Sequence, residues 1–329
     1  MIFKIIKVVN YIVVPLSLVT NSMSIAVFVR MRRKIQSELF LVFVSLSVVD
    51  TLALILKFDT FLTGIGLSKN MALRYYVVGC QVLNWLESCG QVCSSYFILL
   101  YTFERFISVR FPLKRAIICS GRRVRIAFLC ILVLFPISQV YDLILFKHRR
   151  KSCGVMPPGG IEKLTYGYLT LYSQFVIGML MPYCCIALLN GMIVYHMTRY
   201  QRKRAALKAS TISSEERTQR SMTAMLITAS TYSLLMMMPL IIVNCLDPKR
   251  SSTSTGFVMF SVVALRIISP WNYCGNFFFY VIGGRQFRDE LFNIIGLRCW
   301  RSRGKYKSRR TDTVHHSFVL LISSSITVI

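Results

Sequence analysis

The chain has 329 residues, of which 54% are hydrophobic and 16% are charged, and its mean hydropathy is +0.55. Soluble domains hold about 45–50% apolar residues, so this composition argues against an ordinary soluble domain and favours a membrane protein. The net charge of +27 would also suit a nucleic-acid-binding protein. The basic residues, however, fall in separate loops between apolar segments, which argues against a surface that binds nucleic acid.

Seven apolar segments follow one another along the chain, each long enough to cross a hydrocarbon core of about 30 Å. They cover residues 9–30, 38–62, 76–109, 124–145, 166–197, 219–246 and 256–282. The alternating pattern of a membrane β-barrel is absent, so only helices can satisfy the backbone in lipid. We therefore predict an all-α membrane protein built as a seven-transmembrane helix bundle.

The loops on one side of the predicted membrane carry most of the positive charge. If the Arg105 end of the third segment is placed inside the cell, 27 of the 40 Lys and Arg residues fall in inner segments. This positive-inside bias predicts a cytoplasmic C-terminus. No cleavable signal peptide is evident, and only about eight residues precede the first segment, so either the outer N-terminus is very short or the chain begins late.

The third segment carries a pattern that goes beyond hydrophobicity. Cys80 lies near its outer end, Glu-Arg-Phe follows at 104–106, and Pro112 and Leu113 come in the next loop. This arrangement resembles the third helix of rhodopsin-like G-protein-coupled receptors, and the distance from the cysteine to the arginine makes it more specific than the triplet alone. The stretches SIAVFVRMRRK and NFFFYVIGGRQFRDEL are also similar to invertebrate neuropeptide receptors.

The resemblance implies a set of residues that couple ligand binding to a heterotrimeric G protein. They are Glu104, Arg105, Phe106, Pro239 and Tyr280. In the family, the arginine pairs with the preceding acid in the inactive state. Here Met237 stands at the usual Trp position, Asn190 where Tyr is frequent, and Gln219 where many relatives carry Glu. Without a second ionic partner from Gln219, we expect a shallower inactive state and raised basal activity.

Asp50 is a carboxylate in the middle of a predicted span, where burial of a charge is costly. The resemblance implies that it holds an allosteric sodium ion in the inactive state with three oxygen-bearing partners. The four residues are Asp50, Ser94, Asn272 and Asn276. Oxygen ligands suit a hard cation. The alternative is an aspartate that is hydrogen-bonded to neighbouring helices without an ion, and no other cofactor is expected.

Charged residues in the outer halves of the helices indicate a candidate ligand pocket. Lys57 lies seven residues outward of Asp50 on the second helix. Glu87 lies seven residues outward of Ser94 on the third, so the two charges reach one depth and can pair. The pocket candidates are Lys57, Asp59, Glu87, Gln91 and Arg266. The simpler alternative is a structural Lys57–Glu87 bridge with a snorkelling Arg266, and both interpretations can hold.

A pocket with both signs of charge favours a peptide over a small amine, although Glu87 occupies the position where amine receptors carry Asp. We therefore expect a plasma-membrane receptor for an extracellular peptide. The alternative is an amine or chemosensory receptor of the same fold with a small-molecule ligand. A transporter or channel is more remote, because neither internal repeats nor a filter sequence is present. An enzyme is not expected, since the four histidines are scattered without metal-binding spacing.

The remaining expectations concern the two ends of the bundle. The resemblance implies a disulfide between Cys80 and Cys153, which both fall at the outer face, an oxidising compartment. After the seventh helix, GGRQFRDELFNIIG predicts a short amphipathic eighth helix on the inner leaflet, with Cys299 as a palmitoylation candidate. The receptor domain is thus predicted to cover 1–297, and 298–329 to form a basic, disordered cytoplasmic tail.

Overall fold

The structure is a computed structural model that describes residues 2–33, 37–64, 77–149, 152–155, 168–206, 214–246 and 267–296, together with four single residues. These four are Thr165, Gly256, Phe260 and Val263. In the described parts the chain forms a bundle of eight α-helices of ten residues or more and one short β-hairpin. The predicted all-α bundle with an eighth helix is therefore confirmed, and the hairpin was not anticipated.

The helices follow the predicted order along the chain. The first four are α1 (Ile2–Met31), α2 (Ser37–Gly64), α3 (Val77–Arg110) and α4 (Gly121–Ser138). The last four are α5 (Met181–Ala206), α6 (Ser214–Leu246), α7 (Asn272–Gly283) and α8 (Arg285–Ile294). Short 3₁₀ helices occupy Pro112–Lys114 and Ser269–Trp271, and short α-helices occupy Arg115–Ile118 and Tyr141–Leu145. A π-helix, Thr170–Leu180, leads into α5.

The hairpin follows α4 and lies beside α3. Its strands, β1 (Phe146–Arg149) and β2 (Ser152–Val155), are antiparallel, with His148 opposite Cys153. The chain that links α4 to α5 therefore folds back against the start of the third helix. This places the backbone of Cys153 on a strand at the same end of the bundle as the beginning of α3.

Five described helical stretches are long and apolar enough to cross a membrane. They are Tyr11–Met31, Gln81–Arg110, Gly121–Ile144, Leu171–Arg202 and Arg220–Val243, and Phe40–Leu56 is a shorter apolar helix. Helix α1 begins at Ile2, seven residues before the predicted apolar segment begins. Lys4 and Lys7 interrupt the apolar run in the sequence, but the helix continues through them. Most of the predicted seventh span before Ile267 lies outside the described residues.

Aromatic side chains form the core at the end of the bundle where α3 finishes, here called the Arg105 end. Phe28 on α1 stacks on Phe43 on α2, with ring centroids 4.8 Å apart. Tyr280 and Phe287 each lie 5.3 Å from the Phe28 ring, and 5.6 Å from each other. Each such pair adds about 0.5–1.5 kcal/mol beyond its buried area, so the cluster fixes α8 to the bundle. Phe287 and Leu291 accordingly face the bundle and are buried.

Helix α3 runs through the middle of the bundle and contacts α2, α4 and α5. Its side chains Phe97, Ile98 and Tyr101 are fully buried. Ser95 Oγ also donates a hydrogen bond of 2.7 Å to the carbonyl of Gly178 in the π-helix. Because α3 contacts several other helices along its length, its polar side chains can connect the opposite end of the bundle with the Arg105 end.

Candidate functional site

Asp50 lies at the centre of the bundle, and its side chain is buried. Ser94 Oγ on α3 donates a hydrogen bond of 2.8 Å to Asp50 Oδ1. Asn276 Nδ2 on α7 donates one of 3.1 Å to Asp50 Oδ2. These two bonds reduce the cost of burying a carboxylate and join three helices at one point. The structure thus brings together three of the four residues predicted for the sodium site.

The fourth predicted residue, Asn272, lies one turn before Asn276 on α7 and is also buried. Among the described residues, Asn272 Oδ1 and Asn276 Oδ1 have no hydrogen-bond partner. In the same described part, no three or more His, Cys, Asp or Glu side chains come together. One carboxylate with neutral hydroxyl and amide oxygens suits a hard monovalent cation. We call the four residues the Asp50 junction, and sodium binding there stays a prediction.

Asn21 on α1 supports this junction from the side. Its Nδ2 donates a hydrogen bond of 3.1 Å to the carbonyl of Tyr273 on α7 and one of 3.3 Å to Ser17 Oγ. All these side chains are buried. Since Tyr273 lies between Asn272 and Asn276 along α7, the Asn21 bond fixes the height at which α7 presents both amides to Asp50.

At the Arg105 end, Glu104 and Arg105 are both buried. Arg105 Nε lies 3.1 Å from Glu104 Oε2, which is the ion pair that the family resemblance implies. Arg115 adds a second cation, with Nη2 at 2.7 Å and Nε at 2.9 Å from Glu104 Oε1. Ser108 Oγ donates to the same oxygen at 3.0 Å. The sequence gives no indication of this role for Arg115 beyond a basic residue shortly after Pro112.

The other predicted coupling residues surround this ion pair or lie along α6 and α7. Phe106 is half-buried, and its ring centroid lies 6.5 Å from that of His196 on α5. Pro239 lies inside α6. Tyr280 belongs to the aromatic core described above and is buried. The side chain of Gln219 lies outside the described residues, so its replacement of the usual acid stays a sequence-based argument.

A buried polar contact ties α5 to α6. Asn190 Nδ2 donates a hydrogen bond of 2.8 Å to Ser230 Oγ, and the same Nδ2 lies 3.4 Å from Thr231 Oγ1. Asn190 and Ser230 are both buried. The shorter asparagine at a position where the family often has tyrosine therefore bonds to the neighbouring helix. The sequence shows this replacement but does not indicate that Ser230 is its partner.

The outer part of the bundle holds an amide pair. Gln174 Nε2 in the π-helix donates a hydrogen bond of 3.1 Å to Gln91 Oε1 on α3. Gln91 and Glu87 are half-buried on α3. The side chains of Lys57 and Asp59 and the whole of Arg266 lie outside the described residues, so the Lys57–Glu87 pair stays a prediction. Gln174 was not foreseen.

The cysteine predictions fall on undescribed side chains. The side chains of Cys80 and Cys153 are outside the described part, and so is Cys299. The hairpin places the Cys153 backbone at the end of the bundle where α3 begins, which is compatible with the predicted disulfide. The disulfide and the lipid attachment both stay predictions, as does the tail at 298–329.

Among the residues that the structure describes, two groups outside the membrane-spanning segments have displaced pKa values. Burial, and then the nearby Glu104 carboxylate, raise the pKa of Cys119, while Arg115 acts against them. Cys119 is therefore a protonated, weakly nucleophilic thiol at neutral pH. Burial lowers the pKa of Arg288, and the nearby Asp289 partly offsets this decrease. The guanidinium group still remains charged at neutral pH. Arg288 donates to the carbonyls of Val281 and Ile282, at 2.9 and 2.6 Å, and so caps the end of α7.

Comparison with known proteins agrees with this geometry. Residues 20–280 match the family model described as 7 transmembrane receptor (rhodopsin family). The FMRFamide receptor of Drosophila melanogaster is 23% identical over 237 residues. That match covers 69% of this chain but only 40% of the length of that curated relative.

Proposed function

Because this chain belongs to the rhodopsin family of seven-transmembrane receptors, we propose that it binds an extracellular neuropeptide and activates a heterotrimeric G protein. As a member of that family it is a multi-pass membrane receptor and not an enzyme. The observation that carries the proposal is the Asp50 junction, which joins α2, α3 and α7 between the Gln91–Gln174 pair and the buried Glu104–Arg105 pair.

The excess of Lys and Arg in alternate loops supports a plasma-membrane orientation with the Arg105 end in the cytoplasm. The Gln91–Gln174 pair then lies toward the extracellular side. Amide side chains both donate and accept hydrogen bonds, as a peptide backbone does, so this pair suits a peptide ligand. The similarity to an FMRFamide receptor favours the same ligand class.

In the proposed mechanism, the ligand replaces the Gln91–Gln174 hydrogen bond with its own amides and shifts the π-helix relative to α3. Ser95, which bonds Gly178 one turn further along α3, would transmit this shift toward the Asp50 junction. Rearrangement of the junction then releases Arg105 from Glu104, so that Arg105 can engage the G protein.

The Asp50 junction also provides the oxygen atoms that would hold a sodium ion. A bound cation neutralises the Asp50 carboxylate and favours whichever conformation keeps the four residues together. Sodium would therefore stabilise the inactive arrangement and oppose the ligand, because each selects a different conformation.

The test is expression of the full chain in cells with calcium and cyclic-AMP readouts. Peptides ending in Arg-Phe-amide are applied first, then a wider amidated peptide library, with biogenic amines as the competing class. We expect a peptide response that disappears in Arg105→Ala at equal surface expression. A response to amines alone would replace the peptide ligand with an amine, and a normal peptide response in Arg105→Ala would remove Arg105 from coupling.

A further inference from the structure

Helices α6 and α7 approach each other closely along a seam that has glycines on the α7 side. A Cβ at Gly283 would lie 2.6 Å from Met225 Cα, which is closer than real Cβ contacts allow. A Cβ at Gly275 would overlap the ring of Tyr232. Glycine at both positions therefore lets the backbone of α6 lie directly on α7 at the Arg105 end, and lets the Tyr232 ring pack against the backbone in the first turn of α7.

Hydrogen bonds fix this seam at two heights. Near the start of α7, the Tyr232 hydroxyl donates to the carbonyl of Trp271 at 2.8 Å, and its ring lies 4.6 Å from that of Phe279. At the Arg105 end, Ser221 Oγ donates to the carbonyl of Gly283 at 2.9 Å and accepts from the backbone N–H of Arg285 at 3.2 Å.

The position of Ser221 gives its hydroxyl an unusual role. Gly283 is the last residue of α7 and Arg285 is the first of α8, so the two helices meet at this point. Helix ends leave carbonyls and N–H groups without partners in their own helix. One side chain from a third helix satisfies a carbonyl of α7 and an N–H of α8 at once, which ties α6 to the junction of the other two.

We propose that Ser221 is a latch that holds α6 against the α7–α8 junction and keeps the Arg105 end closed. Gln219, two residues earlier, carries no charge with which to form an ionic latch. The inference rests on the proposed coupling to a G protein, because closure matters only if a partner must enter there. Once the Ser221 bonds break, α6 and α7 can separate from the Arg105 end as far as Tyr232, whose ring remains packed against Gly275.

The main variant is Ser221→Ala, which removes both bonds and retains a good helix former. Thr228→Ala is the matched control, because the Thr228 hydroxyl donates only within α6, to Ala224 and Met225. Backbone hydrogen–deuterium exchange is followed by mass spectrometry on the purified full chain without ligand. Exchange over 220–228 and 285–294 should become about fivefold faster in Ser221→Ala, as expected for one net hydrogen bond, and stay unchanged in the control.

Gly283→Ala is a second variant that does not depend on the first. It keeps the Ser221 hydroxyl, but its methyl group presses on the Met225 backbone, so exchange at the same segments should again become faster. Equal exchange in Ser221→Ala and Thr228→Ala, or wild-type exchange in Gly283→Ala, would overturn the latch.

Ligand-independent nucleotide exchange on a G protein separates the latch from the proposed function. We expect Ser221→Ala to raise it about fivefold over Thr228→Ala at equal receptor concentration, in parallel with hydrogen exchange. Faster hydrogen exchange without any nucleotide exchange in either variant keeps the latch and counts against the proposed coupling. Faster nucleotide exchange with unchanged hydrogen exchange contradicts the latch and keeps the coupling.

Discussion

Arg115 binds one oxygen of Glu104 with two hydrogen bonds, from Nε at 2.9 Å and from Nη2 at 2.7 Å. Arg105 faces the other oxygen at 3.1 Å, so two guanidinium groups share one carboxylate. A carboxylate that one cation already neutralises attracts a second cation more weakly, because the first pair has no net charge. Arg115 therefore weakens the attraction between Glu104 and Arg105.

Replacement of Arg115 by alanine should strengthen the Glu104–Arg105 pair and so lower the basal activity. The side chain of Arg115 is 23% exposed, so solvent screens the interaction in part. We expect a two- to fivefold decrease in ligand-independent nucleotide exchange, corresponding to about 0.4–1 kcal/mol. The measurement is nucleotide exchange on a G protein in membranes with matched receptor content.

Two further variants control this experiment. Lys114→Ala removes the same charge from the neighbouring exposed position and should leave the basal activity unchanged. Arg115→Lys keeps the charge but loses the paired N–H groups, so its basal activity should lie between those of Arg115→Ala and the wild type. A rise in basal activity in Arg115→Ala would show that Arg115 instead holds Glu104 in the inactive arrangement.

Sodium should raise the thermal unfolding midpoint of the purified receptor through the Asp50 junction. A ligand that binds only the folded state at ten times its dissociation constant stabilises that state by about 1.4 kcal/mol. Asp50→Asn removes the negative charge and should abolish the difference between sodium chloride and choline chloride. The near-equal shape of asparagine preserves packing, so a sodium shift of full size in this variant would mean that the ion binds elsewhere.

The sequence was most informative where residues lie on regular helices. The family resemblance groups Asp50 with Ser94, Asn272 and Asn276, and the structure brings Asp50, Ser94 and Asn276 into direct hydrogen bonds. A helix fixes the direction of each side chain by its 3.6-residue period. Once the helices are assigned, that period indicates which polar residues share an inward face.

Residues outside this regularity were missed for physical reasons. Arg115 begins a four-residue helix just after the 3₁₀ turn Pro112–Lys114, and an element this short has no sequence period that would specify the direction of its side chains. Gln174 lies in the π-helix, whose wider turns rotate each side chain away from the position that an α-helix would give it. The Ser221 contact depends on the exact approach of α6 to α7, which follows from the packing of Gly283 on Met225 and not from the pattern of either helix alone.

The Asn190–Ser230 contact should contribute to stability as a coupled pair. Ser230→Ala leaves the buried Asn190 amide without its 2.8 Å partner, which costs about 1–3 kcal/mol. Asn190→Ala should cost less, because Ser230 Oγ still donates to the carbonyl of Ile227 at 3.1 Å. The double variant has no unpaired group at this contact and should be more stable than the sum of the singles predicts, by about 1 kcal/mol. Thermal unfolding of the purified wild type, both single variants and the double variant gives the coupling energy of this double-mutant cycle. Thr231→Ala is the control for Ser230→Ala, since its 3.4 Å contact with Asn190 should give a smaller coupling.

The Gln91–Gln174 pair provides the sharpest test of the proposed peptide pocket. Replacement of either glutamine by leucine keeps the side-chain volume but removes every amide donor and acceptor, and leaves the other glutamine without this partner. If a peptide ligand binds both amides, each single variant should lower its potency by about tenfold, the effect of one or two hydrogen bonds. The fold decrease in potency of the double variant should then be no larger than the product of the two single decreases, because the two amides also interact with each other at 3.1 Å.

Surface expression and ligand potency must be measured separately for these single and double variants. Gln91→Glu is the control, because its carboxylate still accepts the hydrogen bond from Gln174 but cannot donate to a ligand carbonyl. It should preserve surface expression and lose potency as Gln91→Leu does. Wild-type potency in both leucine variants at equal surface expression would move the ligand away from this pair, and Glu87 would become the next residue to test.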